Sequence, residues 1–122
     1  MIDRDRVCEY IDRHLAEPLT IPRLARLARL SPYHFVRVFR TATGQTPHQY
    51  VRNRRIERAK TLLVTTPTPV TEICVAVGFQ SLGSFSALFR RLTGATPLAY
   101  RAARRRRPYI PECFVRMYRA DR

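Results

Sequence analysis

The sequence predicts an all-α protein of about seven helices in which one two-helix unit occurs twice. Residues 31–50 read SPYHFVRVFRTATGQTPHQY, residues 81–100 read SLGSFSALFRRLTGATPLAY, and the two segments are identical at nine of twenty positions. Both segments space their apolar residues with the period of an α-helix, and a longer amphipathic segment separates them. The match indicates a duplicated helical unit with a linker helix between the copies.

Two helices are predicted ahead of the first repeated segment. The first runs from about residue 3 to 16, because Pro18 prevents its continuation. Its apolar face consists of Val7, Tyr10, Ile11, His14 and Leu15. Thr20 can cap the second, shorter helix. The inner face of that helix consists of Ile21, Leu24, Ala25 and Ala28.

The first repeated segment carries its own start and stop signals. Ser31 is a predicted N-cap, Pro32 follows at the first helical position, and Gly44 supplies a left-handed stop. These signals predict a helix from about residue 32 to 43. Its apolar stripe is Phe35, Val38, Phe39 and Ala42.

The second repeated segment follows the same plan. A short helix with the apolar stripe Val70, Ile73, Cys74 and Val77 precedes it. Ser81 and Gly94 then bound a helix from about residue 82 to 93, with the stripe Phe85, Leu88, Phe89 and Leu92. Tight corners at residues 29–30 and 78–80 join each pair of helices, and small residues beside them allow the close crossing of a helix-turn-helix: Ala25, Ala28, Cys74 and Gly78.

Two further helices complete the prediction. A capping box from Thr46 to Gln49 begins a linker helix from about residue 47 to 64, and the Pro-rich residues 65–69 end it. A last helix starts at Pro97 and runs into residues 104–107. The predicted organisation is therefore a first helix-turn-helix subdomain (1–46), the linker helix (47–64), a second subdomain (65–107) and a C-terminal tail (108–122) without predicted structure.

The charge of the chain points to an anionic polymer as its partner. The sequence contains 22 Arg, one Lys and nine acidic residues, which gives a formal net charge of +14. Arg binds phosphate and guanine bidentately, so an excess of Arg over Lys favours nucleic-acid binding over mere solubility. Three cysteines without metal or redox spacing predict a reducing compartment: Cys8, Cys74 and Cys113. We expect a cytoplasmic protein without a membrane span, metal or cofactor.

The two repeats agree at core and cap positions but differ where each helix would face outward, for example at Arg37 and Ala87. Two DNA-reading helices on one scaffold would show this pattern, because the second helix of a helix-turn-helix enters the major groove. Solvated faces that drift freely would show it too, so the pattern alone does not decide between these interpretations.

The spacing S-x₃-F-x₃-F-R-x₂-T-G-x-T-P-x₂-Y, present twice, resembles the DNA-binding domain of AraC/XylS-family bacterial transcription regulators. The residues between the copies and the sequence Val77-Gly78-Phe79 ahead of the second copy extend the resemblance over about residues 5–101. It implies seven helices and two helix-turn-helix units that enter successive major-groove segments. By position, it implies these base-facing residues: Tyr33, Val36, Arg37, Arg40, Gly83, Ser84 and Ala87.

The second unit departs from the family pattern because Ala87 stands where the family often carries Arg, and position 83 is Gly. We therefore expect weak base readout there. Helix N-termini and basic side chains give the predicted phosphate contacts: Ser31, His34, Arg54, Arg55, Ser81, Arg90, Arg91, Arg104 and Arg105. Two of these predictions have an alternative. His34 could pack under Tyr33 instead of binding phosphate, and residues 104–107 could be a solvated helix end.

The predicted function is sequence-specific binding of double-stranded promoter DNA by a monomer that acts on RNA polymerase. A non-specific binder of RNA or other polyanions is the alternative. The sequence does not predict an enzyme, since no paired carboxylates or nucleophile with an adjacent base fit the helical plan. Most family members carry an effector or dimerisation domain ahead of this region, so the chain is either a stand-alone regulator or part of a longer one.

Overall fold

The computed structural model describes residues 4–105, and within that range the chain forms seven helices and no strand. The helices are α1 (Arg4–Arg13), α2 (Ile21–Ala28), α3 (Pro32–Thr43), α4 (Pro47–Thr65), α5 (Val70–Ala76), α6 (Leu82–Thr93) and α7 (Pro97–Arg105). The predicted all-α class and helix number are confirmed. The predicted tail at 108–122, with Cys113, lies outside the described residues.

Hydrogen-bonded caps set the helix boundaries. Ser31 Oγ accepts from the His34 amide at 3.2 Å, and Ser81 Oγ accepts from the Ser84 amide at the same distance. The predicted capping box forms, since the Thr46 side chain and the Gln49 side chain each bond the other residue's backbone amide. Gly44 and Gly94 end α3 and α6 in the left-handed conformation, so both helices have their predicted bounds.

Helix α1 is shorter than predicted. It ends at Arg13, and the amides of His14 and Glu17 bond three residues back, to Ile11 and His14, in the manner of 3₁₀ turns. His14 Nδ1 lies 2.7 Å from the Tyr10 carbonyl oxygen, the partner that the His14 amide would have in a continued α-helix. Tighter turns therefore replace the α-helical pattern before residue 16.

The apolar side chains form two cores, one for each repeat. The first contains Val7, Ile11, Leu15, Leu24, Ala25, Phe35, Phe39 and Val51, and the second contains Ile56, Ala59, Leu63, Ile73, Cys74, Val77, Phe85 and Phe89. Helix α4 contributes to both, so it is a structural part of each unit as well as a linker. The predicted place of Leu92 in the apolar stripe of α6 is wrong, since its side chain is 44% exposed. It lies at the edge of the buried face whose centre is formed by Phe85 and Phe89.

The same arrangement of aromatic rings packs against the core side of α3 and of α6. The Phe39 ring contacts the rings of Phe35 and Tyr50, in both cases at 5.6 Å between centroids. In the second unit, Phe89 contacts Phe85 at 5.8 Å and Tyr100 at 5.3 Å. Because these rings hold one face of each helix in the core, the opposite face is turned outward.

The two tight corners are also equivalent in the backbone. Arg29 adopts a left-handed φ of 61° after α2, and Gly78 adopts a φ of 99° after α5. Ala25 and Cys74, the small residues at the two crossings, are buried, and burial raises the pKa of the Cys74 thiol. Cys74 is thus a core residue. None of the described helices is long and apolar enough to cross a membrane.

Candidate nucleic-acid interface

The outer face of α3 presents a tyrosine and two arginines. Tyr33 is 75% exposed, and Arg37 and Arg40 are exposed beside it. The Arg37 guanidinium carbon lies 5.9 Å from the centroid of the Tyr33 ring, within the range of a cation–π contact. This contact holds two of the predicted base-facing side chains together on one turn of the helix. His34 is exposed near the start of the same helix.

Val36 fits the predicted base-facing set less well than its neighbours. It is half-buried, as is Ser86 at the equivalent position of α6. The reason is geometric, since each residue directly follows a fully buried phenylalanine, Phe35 or Phe85. Positions 36 and 86 therefore lie at the edge of the outer face.

The outer face of α6 is sterically open. Gly83, Ser84 and Ala87 are all exposed, and none has a side chain long enough to make two hydrogen bonds to one base edge. The basic residues of this helix, Arg90 and Arg91, are exposed in its last turn. The structure thus brings the predicted residues of each helix to one surface. The outward side chains of α3 are long, and those in the first turns of α6 are short.

The serine caps are engaged with their own helices. Ser31 and Ser81 each use the side-chain oxygen to accept an amide three residues on. Their position at the start of α3 and α6 still suits an anion, because free amides and the helix dipole concentrate positive potential there. The predicted phosphate contact is therefore a property of the helix start rather than of the serine hydroxyl alone.

Arg55 does not have the free guanidinium that its predicted phosphate contact requires. Its Nε donates to the Leu15 carbonyl at 3.0 Å and its Nη2 donates to the Glu17 carbonyl at 2.8 Å. Burial lowers the pKa of this guanidinium. The cause is the position of Arg55 on α4, since this residue faces the end of α1 instead of solvent.

Arg54 retains an exposed side chain but has an internal partner. Its Nε donates to the Asp12 carboxylate at 2.8 Å, and this hydrogen bond raises the pKa of the guanidinium. Arg52, on the same helix, is half-buried, and its Nε has no hydrogen-bond partner within residues 4–105. The arginines of α4 are therefore not one uniform basic face.

Two arginines that the sequence did not single out organise the scaffold. Arg23 bonds the Tyr10 hydroxyl and the Glu17 carboxylate, and Arg101 donates to three carbonyl groups at the end of α4. The Arg101 acceptors are Leu63 at 2.9 Å, Thr66 at 3.1 Å and Thr68 at 2.6 Å. The repeat held a signal for Arg101, because Val51 occupies its equivalent position and a buried valine marks that site as inward-facing.

The described end of α7 adds one more exposed cation. The Arg104 guanidinium lies 4.0 Å from the centroid of the Tyr100 ring, while its side chain remains exposed. The side chain of Arg105 and the rest of the predicted basic run, residues 106–107, lie outside what the structure describes. Arg104 is thus the member of the basic run whose side-chain position the structure describes.

Charge is distributed unequally over the described helices. Neither α3 nor α6 contains an acidic residue. Among residues 4–105, acidic side chains on α1, on α4 and in the loop after α1 are paired internally: Glu9 with Arg13, Asp12 with Arg54, Glu17 with Arg23, and Glu57 with Lys60. Both repeated helices consequently present only positive side-chain charge, which suits a polyanion.

This arrangement is similar to that of known transcriptional regulators. A family model described as a helix-turn-helix domain matches residues 24–103. The regulatory protein SoxS of Salmonella typhimurium is 40% identical over 93 residues, covering 76% of this chain and 87% of SoxS. A probable AraC family transcriptional regulator from Rhodopseudomonas palustris has a similar structure, with a TM-score of 0.73, 30% identity and coverage of 85% and 96% of the two chains. The chain belongs to the AraC family of transcriptional regulators.

The resemblance carried by the repeat is thereby confirmed, and the chain contains the family's DNA-binding helix-turn-helix domain. Another AraC-type structure, the DNA-binding domain of the global transcriptional factor AdpA, was solved in complex with a target DNA. It matches with a TM-score of 0.84 and 36% identity over 90% of this chain and 100% of that one.

The chain spans less than half of some AraC-family relatives. It covers 37% of the probable transcriptional regulator LumQ of Photobacterium leiognathi. It covers 46% of AdaA of Bacillus subtilis, a bifunctional transcriptional activator and DNA repair enzyme. The segment that these proteins share with the chain is the DNA-binding part of the family.

Proposed function

We propose that the chain binds double-stranded promoter DNA sequence-specifically, with α3 and α6 in successive major-groove segments. The observation that carries this proposal is the equivalence of the two helices. Each begins at a serine cap, rests on a buried phenylalanine pair and lacks acidic residues. The complex of the similar AdpA domain with a target DNA supports DNA binding by this fold. Groove segments on one DNA face are about 34 Å apart.

The two helices have different tasks in this proposal. Arg37, held beside Tyr33, reaches a guanine through O6 and N7 and specifies sequence in the first half-site. In the second unit, Gly83 and Ala87 let the backbone of α6 approach the groove closely. Arg90 and Arg91 then hold phosphates, which position the protein without reading a base.

A single chain carries both units, so a monomer suffices for two-part contact. The proposed cellular role is regulation of transcription in the cytoplasm by acting on RNA polymerase at a promoter. Non-specific polyanion binding makes a different prediction, because such a protein would exchange freely between a promoter and random duplex.

Selection of bound duplexes from a random pool tests the proposal. We expect one enriched site with two parts, retained against excess random duplex. Arg37→Ala should relax base preference in one part only, while Arg13→Ala, a charge-matched change on α1, should leave the selected site unchanged. Tight binding of the random pool without enrichment of any sequence would contradict the proposal and favour the non-specific alternative.

A further inference from the structure

The two units meet directly at a point beside α4. Three segments come together there: residues 15–17 after α1, Arg55 in the middle of α4, and Gly78 in the turn between α5 and α6. We call these residues, Leu15, Glu17, Arg55 and Gly78, the inter-unit junction. The close approach of Gly78 to the Leu15 carbonyl joins the two units outside α4, and Arg55, on α4 itself, binds the same carbonyl.

Arg55 forms the first half of the junction. Its guanidinium donates to two carbonyl groups of the first unit, at 3.0 Å to Leu15 and 2.8 Å to Glu17. The Glu17 carboxylate pairs with Arg23 and not with Arg55. Both described hydrogen bonds of Arg55 therefore go to backbone carbonyl oxygens. A cation used in this way fixes the course of the chain after α1.

Gly78 forms the second half. A Cβ atom at this position would lie 2.1 Å from the Leu15 carbonyl oxygen and 2.8 Å from Arg55 Nε. The backbone of the second unit therefore rests directly on the carbonyl that Arg55 binds, and only glycine leaves room for this contact. Its positive φ of 99° imposes the same requirement.

Both sides of the junction are anchored in their own cores. Leu15 is buried in the first core. Phe79, which follows Gly78, packs in the second core with its ring 5.1 Å from that of Phe85. A shift at the junction would therefore displace one core relative to the other, together with α3 and α6.

We propose that the inter-unit junction fixes the position of α6 relative to α3 and thereby sets the spacing of the two half-sites that the protein accepts, with Arg55 as a positioning residue. This inference rests on the proposed two-groove binding. One inserted base pair moves a half-site by about 3.4 Å and turns it by about 34° around the DNA axis. A rigid junction rejects that change, whereas a loosened one tolerates it.

The test compares three duplexes: the site selected by the wild-type chain, and the same site with one base pair inserted or removed between its halves. Arg55→Gln removes the charge and the Nη2 donor that binds the Glu17 carbonyl, and it leaves an amide nitrogen near the position of Nε. We expect its preference for the selected spacing to fall by about tenfold or more, the effect of losing a charge-assisted hydrogen bond. Arg58→Gln, an exposed change on the same helix, should keep the full preference.

Helix content and thermal unfolding establish that each variant is folded. Arg55→Lys provides a second variant, because it retains the charge but has one donor atom in place of the two that bind Leu15 and Glu17. Full retention of the spacing preference in both Arg55 variants would overturn the junction proposal alone. Absence of any spacing preference in the wild-type chain would instead overturn two-groove binding. If neither variant folds, the junction maintains the fold rather than the spacing, and the proposal is equally overturned.

Discussion

Val51 and Ile56 lie five positions apart on α4, yet Val51 is buried in the first core and Ile56 in the second. The helix thus passes from one unit to the other within about 1.4 turns. Its N-terminal half packs against α3 in the first core. Its C-terminal half contributes the apolar residues of the second core that correspond to those of α1 in the first core. This sharing explains how 102 described residues, 4–105, support two helix-turn-helix units.

The cores make a direct prediction for stability. Phe39 is fully buried between Phe35 and Tyr50, so Phe39→Ala should lower the free energy of unfolding by about 3–5 kcal/mol. Tyr33→Ala, on the outer face of the same helix, should change it by less than about 0.5 kcal/mol. Urea unfolding monitored by helix content measures both. Equal losses would mean that the outer face of α3 also carries the fold.

Arg101 should stabilise the packing of α7 on the end of α4. Arg101→Ala leaves the carbonyls of Leu63, Thr66 and Thr68 without this donor, and we expect a loss of about 1–3 kcal/mol in the same unfolding measurement. Arg104→Ala, three residues later and exposed, should cost less than about 1 kcal/mol. The reverse order of costs would contradict the role given to Arg101.

Acid should weaken the loop after α1. The hydrogen bond from Arg23 lowers the pKa of Glu17, so the folded state favours the charged carboxylate. Its stabilising contribution is present above the ordinary glutamate pKa and is lost as the pH falls through the lowered folded-state value. The stability difference between wild type and Glu17→Gln should therefore shrink as the pH is lowered from about 7 to about 3. A difference that does not change with pH would show that this ion pair has no such effect.

Salt should weaken DNA binding strongly. With about 6–10 phosphate contacts, affinity should fall by around 10³–10⁵ between 50 and 200 mM salt. Arg104→Ala should lower the slope of log affinity against log salt by about 1 without altering the preferred sequence. Arg13→Ala, on α1, serves as the control and should leave the slope unchanged. A nearly flat salt dependence of the wild-type chain would rule out the phosphate footprint.

The sequence predicted the scaffold well because local signals determine it. Ser31, Gly44 and their counterparts act through bonds within a few residues, so the bounds of α3 and α6 could be read from the chain. The inward position of Arg101 could be read from its repeat counterpart, Val51. The carbonyl partners of Arg55 and Arg101 could not be read, because they are 33–40 residues away. An arginine that packs against a neighbouring helix and one that faces solvent look the same in a basic helix.

The difference between the two outer faces leads to an asymmetry in DNA reading. Arg37→Ala should reduce discrimination by about 1–3 kcal/mol at one or two base pairs, because a bidentate guanine contact is lost. Arg91→Ala should lower the affinity for all sequences nearly equally, as expected for a phosphate contact. Affinities for a panel of singly substituted duplexes separate these two effects, and a sequence-dependent loss in Arg91→Ala would contradict the assignment.

A base-by-base substitution scan of the selected DNA site tests two-helix recognition most directly. The wild-type chain should lose affinity on substitutions in two segments whose centres lie about one helical turn apart, with the larger losses under α3 and smaller losses under α6. In Arg37→Ala, the losses under α3 should diminish and those under α6 should remain. A scan with a single sensitive segment, or with losses under α6 as large as those under α3, would contradict this division of tasks between the two helices.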